Sequence, residues 1–472
     1  MGKRWVKRWA PTHPGEKGSL VPVLHVNPKS SIEKITWRLP PSKSHAIRWL
    51  ALAAQTAQVV TMHGMANAGQ DVVAMRRSLG QMGVQTVDLD EEGEVLEVHS
   101  NHDDQPAPNT VAWRVHGSGP AGLHPPVSVL HAGNSGTSLR ILMALASRFT
   151  VPVMLDGDAS LRSRNYDAML SSLQALGVEC SRGSDKEGLP LLMKGPATSA
   201  GPLHLDVTAS SQPTSAWCLA TPGFSGPLDV IFEGEPVSRR HAALTMSLCE
   251  ATGSSSFERG SFVPWSPTIP HGEVSIPPDC SMLAFAFLAV QSLKTTVELV
   301  ERPLDEDGLG HEILFELATS LGINIQGSTL SFSGQGEALR IDLRDANDLI
   351  TPLAATMALG AGGELYGASH AAFKETNRLV GTQRLLQQFG LEVSTNEGGL
   401  RIPGGQRLSA PSTPVETYND HRMQMTALLL AAACDREVMI VGPTLHQVAD
   451  PEAVERLVSA GLHVSETLHQ PW

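Results

Sequence analysis

The sequence predicts an α/β protein that is built from a repeated helix–strand unit and folded into two globular domains. Its 472 residues exceed what one ordinary hydrophobic core holds. Hydrophobic residues make up 41% of the chain and charged residues 18%, which is typical of a globular protein. Aromatic residues are sparse, and small aliphatic residues suit helices packed closely on sheets. The repeat is the third observation.

The repeated unit is an amphipathic helix that ends at a glycine and passes into a strand. Glycine accepts the left-handed backbone conformation that ends a helix and lets the strand leave sharply. Most copies are about 70 residues apart, the spacing of a repeated supersecondary unit. Residues 103–126, rich in Pro, Asn and Gly, are interpreted as a looping insertion in the longer first interval. Six copies predict two domains of three units, although chance helix–strand junctions are the alternative. The glycines are Gly83, Gly177, Gly253, Gly322, Gly390 and Gly461.

Two segments mark the ends of the domains. Residues 260–278, dense in Pro and Ser, follow the third unit and predict a boundary. Residues 31–39 alternate apolar Ile35, Trp37 and Leu39 with polar side chains, the period of a half-buried strand. The basic N-terminus contains Trp but no apolar stretch follows it, so we do not expect a secretory signal. A disordered leader over residues 1–28, or a misjudged start, is expected instead.

Charge and cysteine content exclude several classes of protein. The formal net charge of -13 argues against nucleic acid as a partner. No apolar run reaches the roughly 18–20 residues that a membrane span needs. The five cysteines lie far apart without a CxxC pair, which predicts reduced thiols in a cytoplasmic protein, with neither a disulfide framework nor a zinc site.

Cations are gathered in short polar motifs, and in an acidic chain this predicts a site for a small polyanion. Each motif stands at a predicted helix start, where free amide groups and a positive dipole favour anions. A capped or ion-paired surface helix is the alternative for each motif taken alone. The motifs are residues 42–48 (SKSHAIR), 133–140 (GNSGTSLR), 210–212 (SSQ), 374–378 (KETNR) and 418–422 (YNDHR).

The motifs offer distinct chemistry. Lys43 follows two prolines, and Ser44 and Arg48 share a helical face. Gly136 permits close approach of a ligand, in a turn that has no nucleotide-loop pattern. Glu375 lies beside a cation on a helical turn, as either a surface ion pair or a general acid or base.

In this order the motifs resemble those of 5-enolpyruvylshikimate-3-phosphate (EPSP) synthases, the enolpyruvyl transferases of the shikimate pathway. The resemblance runs from about Pro40 to Leu457. It implies two globular α/β domains, each of three βαβαββ-type units, arranged like an inside-out barrel. The implied domains are residues 1–40 with 279–472 and residues 41–278, with the active site in the cleft between them.

The resemblance also implies an activity. The family transfers the enolpyruvyl group of phosphoenolpyruvate to the 5-hydroxyl of shikimate 3-phosphate and releases phosphate, through a tetrahedral intermediate and without cofactor or metal. A cytoplasmic monomer that binds neither nucleic acid nor membrane is expected. The implied catalytic residues are Lys43, Asp348 and Glu375. The implied shikimate 3-phosphate ligands are Lys43, Ser44, Arg48, Ser210, Ser211, Gln212, Ser238, Asp348 and Lys374. The implied phosphoenolpyruvate ligands are Lys43, Asn134, Gly136, Arg164, Gln212, Arg378 and Arg422.

Several positions depart from the family pattern. Val448 stands where a phosphoenolpyruvate-contacting Lys is usual, with His446 as the nearest substitute. His241, His370 and Asn165 replace a common Tyr, Asn and Pro. One alternative is therefore a catalytically weak or idle homologue. Another is a transferase with a different acceptor such as UDP-N-acetylglucosamine, whose reactive-loop cysteine should lie in the N-terminal half, where no cysteine precedes Cys180.

Overall fold

A computed structural model describes residues 20–28, 31–99, 105–184, 187–198, 201–208, 210–255 and 260–469. Its strands are β1 (Val21–Asn27), β2 (Lys34–Trp37), β3 (Val59–His63), β4 (Gln85–Leu89), β5 (Val95–His99), β6 (Ala112–His116), β7 (Leu130–His131), β8 (Val153–Asp156), β9 (Glu179–Arg182), β10 (Leu191–Lys194), β11 (Leu203–Asp206), β12 (Leu228–Glu233), β13 (Ser261–Phe262), β14 (Glu273–Ser275), β15 (Thr296–Leu299), β16 (Ile323–Gln326), β17 (Thr329–Phe332), β18 (Leu339–Asp342), β19 (Gly362–Tyr366), β20 (Ser394–Asn396), β21 (Gly399–Pro403), β22 (Val438–Val441) and β23 (His463–His469).

The α-helices alternate with these strands. They are α1 (Lys43–Gln55), α2 (Gln70–Gln81), α3 (Gly136–Ala146), α4 (Ala159–Arg162), α5 (Asp167–Ala175), α6 (Gln212–Ala220), α7 (Arg239–Ala251), α8 (Leu283–Leu293), α9 (Ile313–Leu317), α10 (Ile350–Leu359), α11 (Arg378–Gln388), α12 (His421–Ala432) and α13 (Ala453–Ser459). Short 3₁₀ turns occupy Thr221–Gly223, Pro270–Gly272, Cys280–Met282, Asn347–Leu349, Ser369–Phe373 and Leu445–Val448. No helix in the described part of the chain is long and apolar enough to cross a membrane.

The described strands form six sheets that follow one plan. Three sheets consist of a parallel pair followed by two antiparallel neighbours, in the orders β7-β8-β10-β9, β2-β15-β17-β16 and β18-β19-β21-β20. The sheet β14-β3-β6-β4-β5 adds a strand to this plan, and β11-β12-β13 has one fewer. In the sixth sheet, β22-β1-β23, the parallel partner is reduced to a bridge between Val415 and Ile440. The predicted α/β repeat is confirmed.

The six repeat glycines adopt the left-handed conformation expected of them. Their φ angles run from 74° at Gly390 to 100° at Gly253. A strand follows Gly322 directly, but the next described strand after Gly253 begins only at Ser261. The interpretation of residues 103–126 as a looping insertion is wrong in part, because β6 lies within them and pairs with both β3 and β4.

Two hydrophobic clusters divide the chain. One gathers buried residues from 24–39 and 280–462, and the other from 46–276. The chain crosses between the clusters twice, and the crossings are tied together: Ser42 N–H donates to the Pro277 carbonyl and Asp279 N–H to the Pro40 carbonyl, each at 2.8 Å. We therefore propose a C-terminal lobe of residues 1–40 with 279–472 and an N-terminal lobe of residues 41–278.

The start of the chain corrects one expectation. Residues 1–19 lie outside the described residues, but Val21–Asn27 form β1 between β22 and β23, with Val23 and Val26 fully buried. The disordered leader expected as far as residue 28 is therefore wrong from Val21 onward. Pairing with strands near the other end of the chain, such as Val23 with Val441, is not visible in local composition.

Each unit has an inner and an outer helix. The inner helices α1, α3 and α6 pack on one another in the N-terminal lobe, and α8, α10 and α12 do so in the C-terminal lobe. They are buried on almost every side, as helices that are apolar all round should be. The outer helices α2, α5, α7, α9, α11 and α13 precede the six glycines. The polar motifs stand where inner and outer helices begin.

Candidate active site

Polar motifs of the two lobes meet in the cleft. Arg164 of the N-terminal lobe lies with Nη2 3.5 Å from Oε1 of Glu375 in the C-terminal lobe. The charges of Glu375, Arg422 and Asp348 also act on the pKa of Lys43. The sequence thus converges on one charged cluster from segments that are more than 300 residues apart.

Lys43 is the first residue of α1 and points to a carboxylate that the sequence analysis missed. Its Nζ lies 3.0 Å from Oδ2 of Asp71, near the start of α2. Burial works to lower the pKa of Lys43, but the carboxylates of Asp71, Glu375 and Asp348 outweigh it and raise the pKa. Burial likewise raises the pKa of Asp71 against the opposing effect of Lys43. Asp71 sits in an ordinary amphipathic helix, so only the fold reveals this pair.

Arg48 is buried on the inner side of α1, and most of its N–H groups donate hydrogen bonds to other residues of the protein. Nε donates to Thr245 Oγ1 at 2.7 Å, Nη1 to the Ser44 carbonyl, and Nη2 to Ser215 and the His241 carbonyl. Burial lowers its pKa to about 10. One of its five N–H groups remains unassigned. Arg48 therefore holds α6 and α7 against α1, whatever else it binds.

The turn before α3 is packed against two guanidinium groups. A Cβ on Gly136 would lie 3.0 Å from Nη1 of both Arg140 and Arg164. Arg164 Nη2 donates to Asn134 Oδ1 at 3.0 Å, and Arg140 Nη1 donates to Gln212 Oε1 at 2.7 Å. A side chain at position 136 would therefore crowd both cations. Arg140, which the sequence analysis did not single out, orients the side chain of Gln212.

The predicted serines lie at the starts of α6 and α7. Ser210 Oγ accepts the N–H of Gln212 at 3.1 Å, and Ser211 is the buried residue before α6. Ser238 precedes α7 with φ of 49°, and its side chain makes no hydrogen bond in the described part of the chain. The structure thus links the residue 210–212 segment to Gly136 through Gln212 and Arg140, whereas Ser238 is not tied to the charged cluster.

Arg378 is enclosed by three carboxylates. Its Nε lies 3.0 Å from Asp420 Oδ2, its Nη1 2.5 Å from Asp348 Oδ1, and its Nη2 2.5 Å from Glu375 Oε2. Burial works to lower the pKa of Arg378, but the three carboxylates raise it. Two N–H groups, one on each Nη, remain for another anion. The guanidinium is the central counter-charge of the cleft.

The two predicted catalytic carboxylates are ionised by their surroundings. Burial favours the neutral form of Asp348, but Lys374, Arg422 and Arg378 together hold its pKa well below the usual range. Burial acts in the same direction on Glu375, where Arg378 and Arg164 hold the pKa well below the usual range. Both groups are therefore unprotonated but weakly basic, and a ligand that offsets the charge of their cationic partners would raise their proton affinity.

Lys374 and Arg422, together with Lys43, Arg164 and Arg378, form the set of cations called here the cationic wall. Burial lowers the pKa of Lys374, whose Nζ lies 4.0 Å from Asp348 Oδ1. Arg422 Nη1 donates to the Asp348 carbonyl and Nη2 to Ser281 Oγ, both at 3.0 Å. Its Nε has no hydrogen-bond partner among the described residues, although it lies 3.7 Å from Asp348 Oδ1.

His421, which the sequence analysis left without a role, lies beside this wall. It is buried with neither ring nitrogen hydrogen-bonded in the described structure, and burial lowers its pKa well below the usual range.

The structure also shows the surroundings of two residues at positions that depart from the family pattern, His446 and Val448. His446 is buried, and burial lowers its pKa to about 4, so it is neutral at pH 7 and cannot replace the missing lysine charge. The carbonyl oxygen of Val448 lies close to Gly69 of the other lobe, since a Cβ on Gly69 would be only 2.6 Å from that oxygen.

Comparison with known proteins decides the family. The family model described as EPSP synthase (3-phosphoshikimate 1-carboxyvinyltransferase) matches residues 109–457. The chain belongs to the EPSP synthase family. It is 27% identical over 438 residues to the 3-phosphoshikimate 1-carboxyvinyltransferase of Methanothermobacter thermautotrophicus, covering 91% of this chain and 96% of the relative. It is 29% identical over 437 residues to that of Methanopyrus kandleri, covering 90% and 95%.

Solved structures agree on the fold. The chain is similar to EPSP synthase from Acinetobacter baumannii, with a TM-score of 0.68 and 22% identity over 94% of this chain and 100% of the other. It is also similar to the enolpyruvyl transferase NikO from Streptomyces tendae, with a TM-score of 0.65 and 14% identity over 95% and 99% of the two chains.

Proposed function

We propose that this protein transfers the enolpyruvyl group of phosphoenolpyruvate to the 5-hydroxyl of shikimate 3-phosphate and releases phosphate. Membership of the EPSP synthase family supports the activity. The observation that carries the assignment to this site is the meeting of Arg164 and Lys43 of one lobe with Glu375, Arg378 and Arg422 of the other. Two carboxylates among fixed cations are what acid–base chemistry on two anionic substrates requires.

Phosphoenolpyruvate is proposed to bind against the guanidinium groups. Arg164 has an unpaired Nε in the described structure, and Arg378 and Arg422 retain free N–H groups. Guanidinium groups bind phosphate and carboxylate oxygens in pairs, which suits a trianion. Arg140 and Arg164 lie close to Gly136, so a ligand bound against the Gly136 backbone would also lie beside these cations. The proposed ligands are Lys43, Asn134, Gly136, Arg164, Gln212, Arg378 and Arg422.

Shikimate 3-phosphate is proposed to occupy the end of the cleft formed by α1, α6 and α7 with Asp348. Among the described residues, the Ser238 hydroxyl makes no capping hydrogen bond at the start of α7, and Lys374 lies beside Asp348. Hydroxyls at helix starts and a neighbouring ammonium suit a phosphorylated polyol. The proposed ligands are Lys43, Ser44, Arg48, Ser210, Ser211, Gln212, Ser238, Asp348 and Lys374.

The reaction proceeds by addition and elimination. Asp348 takes the proton of the 5-hydroxyl as its oxygen attacks C2 of phosphoenolpyruvate, and Glu375 delivers a proton to the C3 methylene. The resulting tetrahedral intermediate carries a methyl group and the phosphate on the same carbon. Glu375 then removes a methyl proton as the C–O bond to phosphate breaks, which restores the double bond. The released phosphate takes up the proton that Asp348 accepted from the 5-hydroxyl, and Asp348 is ionised again. Lys43 stabilises the charge that develops at the reacting centre.

The electrostatics of Glu375 support this double role. Without substrate, Arg378 and Arg164 hold its pKa well below the usual range, so it is a carboxylate. A phosphoenolpyruvate anion against the same two arginines would offset their charge and raise the pKa of Glu375, because burial already favours its neutral form. Glu375 would then carry a proton when phosphoenolpyruvate is bound and accept one as phosphate leaves.

The test is phosphate release from phosphoenolpyruvate by purified protein, with and without shikimate 3-phosphate. Release should require both substrates and fall by a factor of roughly 100 to 10,000 in Glu375→Gln, the usual range for a lost general acid–base group. Glu397→Gln, an exposed carboxylate of the same lobe, is the matched control and should retain full activity. Equal release without shikimate 3-phosphate, or full activity in Glu375→Gln, would reject the proposal.

The alternatives make different predictions in the same assay. An idle homologue would bind both ligands in calorimetry without releasing phosphate, and Val448 is its main argument. A transferase for another acceptor would release phosphate with UDP-N-acetylglucosamine instead, but Cys180 lies in strand β9 and not in a loop. We also propose a cytoplasmic monomer that binds neither nucleic acid nor membrane. The five free cysteines and the acidic charge support that proposal.

A further inference from the structure

The outer helices begin at the cleft in unit after unit. Asp71 lies near the start of α2, Arg164 precedes α5, Ser238 precedes α7, and Glu375 precedes α11. Asp71 and Glu375 belong to the charged cluster through Lys43 and Arg164. The repeat therefore brings the equivalent segment of the fourth unit, residues 307–312 before α9, to the same cleft. Sequence analysis assigned that segment no role.

His311 is the buried functional group of this segment. It is 3% exposed, and its Nδ1 lies 2.8 Å from Oδ2 of Asp307. The Asp307 carboxylate is itself fixed, since its Oδ1 accepts the N–H groups of Leu309 at 2.7 Å and Gly310 at 3.1 Å. The opposite ring nitrogen, Nε2, is buried with no hydrogen-bond partner in the described part of the chain. A buried polar atom without a partner is costly unless a ligand satisfies it.

The neighbourhood of His311 is the acceptor end of the cleft. Burial works to lower its pKa, but Asp307, Asp279 and Asp348 raise it. His311 in turn helps to hold down the pKa of Asp348, the proposed base for the 5-hydroxyl. Lys374, Asp348 and His311 act together on the pKa of His241, in the first turn of α7 beyond Ser238. These groups belong to both lobes, so the His311 imidazole lies at the interface between the lobes.

We propose that His311 binds shikimate 3-phosphate, donating a hydrogen bond from Nε2 to an anionic oxygen of the acceptor while Asp307 orients the ring through Nδ1. The inference rests on the proposed function and adds a ligand to its acceptor site. The Asp307 carboxylate accepts the Nδ1 proton, and protonation of Nε2 then supplies a charged donor. A histidine ring held by a carboxylate is a fixed donor, so little side-chain entropy is lost when the acceptor binds.

The pH dependence follows from the charges around the ring. The groups facing it are Asp307 and Glu312 on its own segment, Asp279, Asp345 and Asp348 of the same lobe, and His45, Arg240 and His241 of the opposite lobe. Because the pKa of His311 is raised above its usual value, the ring keeps its charge where a free imidazole would have lost it, and it loses that charge as the pH rises further. The affinity for shikimate 3-phosphate should fall over that rise.

The experiment compares His311→Gln and His311→Asn with the unmodified protein. Gln removes the charge, whereas Asn keeps a group near Nδ1 and removes the Nε2 donor. Both should raise KM for shikimate 3-phosphate about tenfold, as expected for one lost charge-assisted hydrogen bond. KM for phosphoenolpyruvate and the melting temperature should change little. His463→Gln, on exposed strand β23, is the matched control and should leave both KM values unchanged.

Calorimetry with shikimate 3-phosphate alone separates this inference from the proposed function. Weakened binding in both variants supports the contact even if turnover fails for another reason. The pH profile of the unmodified protein provides a second arm: its affinity should decline as the pH is raised, and the decline should be absent in His311→Gln. Equal loss for both substrates, unchanged acceptor affinity, or an unaltered pH profile would overturn the assignment. If one variant fails to fold, the other variant and the pH profile of the unmodified protein decide.

Discussion

Replacing Gly136 by alanine tests the geometry of the phosphoenolpyruvate site. The new Cβ would lie 3.0 Å from Nη1 of Arg140, 3.0 Å from Nη1 of Arg164 and 3.6 Å from Oε1 of Gln212. Carbon contacts are comfortable at about 3.5–4.0 Å, so each guanidinium group must move by roughly 0.5 Å. Both are flexible side-chain ends, and we therefore expect the fold to survive while the cations are displaced.

The displacement bears on a hydrogen bond that already lies near the usual length. Arg164 Nη2 donates to Asn134 Oδ1 at 3.0 Å, and a shift of roughly 0.5 Å would take it outside normal hydrogen-bond range. Misplacing one charged donor costs about 1.5 kcal/mol, which corresponds to a factor of about ten. KM for phosphoenolpyruvate should therefore rise about tenfold. KM for shikimate 3-phosphate should rise less, because Gln212 is the one proposed acceptor ligand among the three groups that the Cβ would approach.

The assay is steady-state phosphate release with one substrate varied at saturating concentrations of the other. Gly226→Ala is the matched control, because a Cβ there meets nothing within 4 Å and no unusual backbone angle is involved. It should leave both KM values and the melting temperature unchanged. An unchanged phosphoenolpyruvate KM in Gly136→Ala, or a larger effect on the acceptor, would refute the reasoning from close approach.

Three further outcomes are expected. Arg378→Gln should lower the free energy of unfolding by about 3–5 kcal/mol, because three carboxylates lose their counter-charge. Arg401→Gln, at an exposed position, is the control and should have almost no effect. Denaturant titration measures both, and equal losses of stability in the two variants would contradict the expectation. Burial lowers the pKa of His241 to about 3, so between about pH 6.5 and pH 3 the unfolded chain binds a proton that the folded chain does not, and the free energy of unfolding should decrease as the pH is lowered. His241→Asn should remove up to about 1.4 kcal/mol per pH unit of this dependence. An identical pH dependence in the variant would count against the assignment. Glyphosate should compete with phosphoenolpyruvate, because the absence of a side chain at Gly136 leaves the arginine cations undisplaced for a second small anion. An inhibition constant far above the phosphoenolpyruvate KM would contradict this expectation.

Local sequence signals predicted the helices and their ends well. The turn into α1 follows from two prolines and Ser42, and Gly322 ends a unit because its backbone needs a positive φ of 77°. Such features depend on neighbours in the chain, so sequence carries them. The interpretation failed where a strand depends on distant pairing: β1 is completed by β22 and β23, and β6 lies between β3 and β4.

The charged cluster was predicted only in part, for the same reason. Lys43, Glu375 and Arg378 stand in dense polar motifs, which made them visible. Asp71 stands in an ordinary amphipathic helix and gains its meaning from Lys43, 28 residues away in sequence but 3.0 Å away in the fold. His311 gives no local signal either. Its place just before α9, like that of Glu375 before α11, becomes visible only once the order of helices and strands is known.

The balance of charge in the cleft predicts that its hydrogen bonds change when an anionic substrate binds. Arg378 contacts Asp348, Glu375 and Asp420 at once. The nearby cations Lys43, Arg164, Lys374 and Arg422 bring the charges of the substrate-free cluster close to balance. An anionic substrate must compete with those carboxylates for N–H groups, and each hydrogen bond that it wins weakens the stabilisation of ionised Glu375 or Asp348. Ligand binding and proton affinity are thereby coupled through the same guanidinium. The arrangement that makes Arg378 costly to remove is also the one that allows phosphoenolpyruvate to convert Glu375 from a base into an acid.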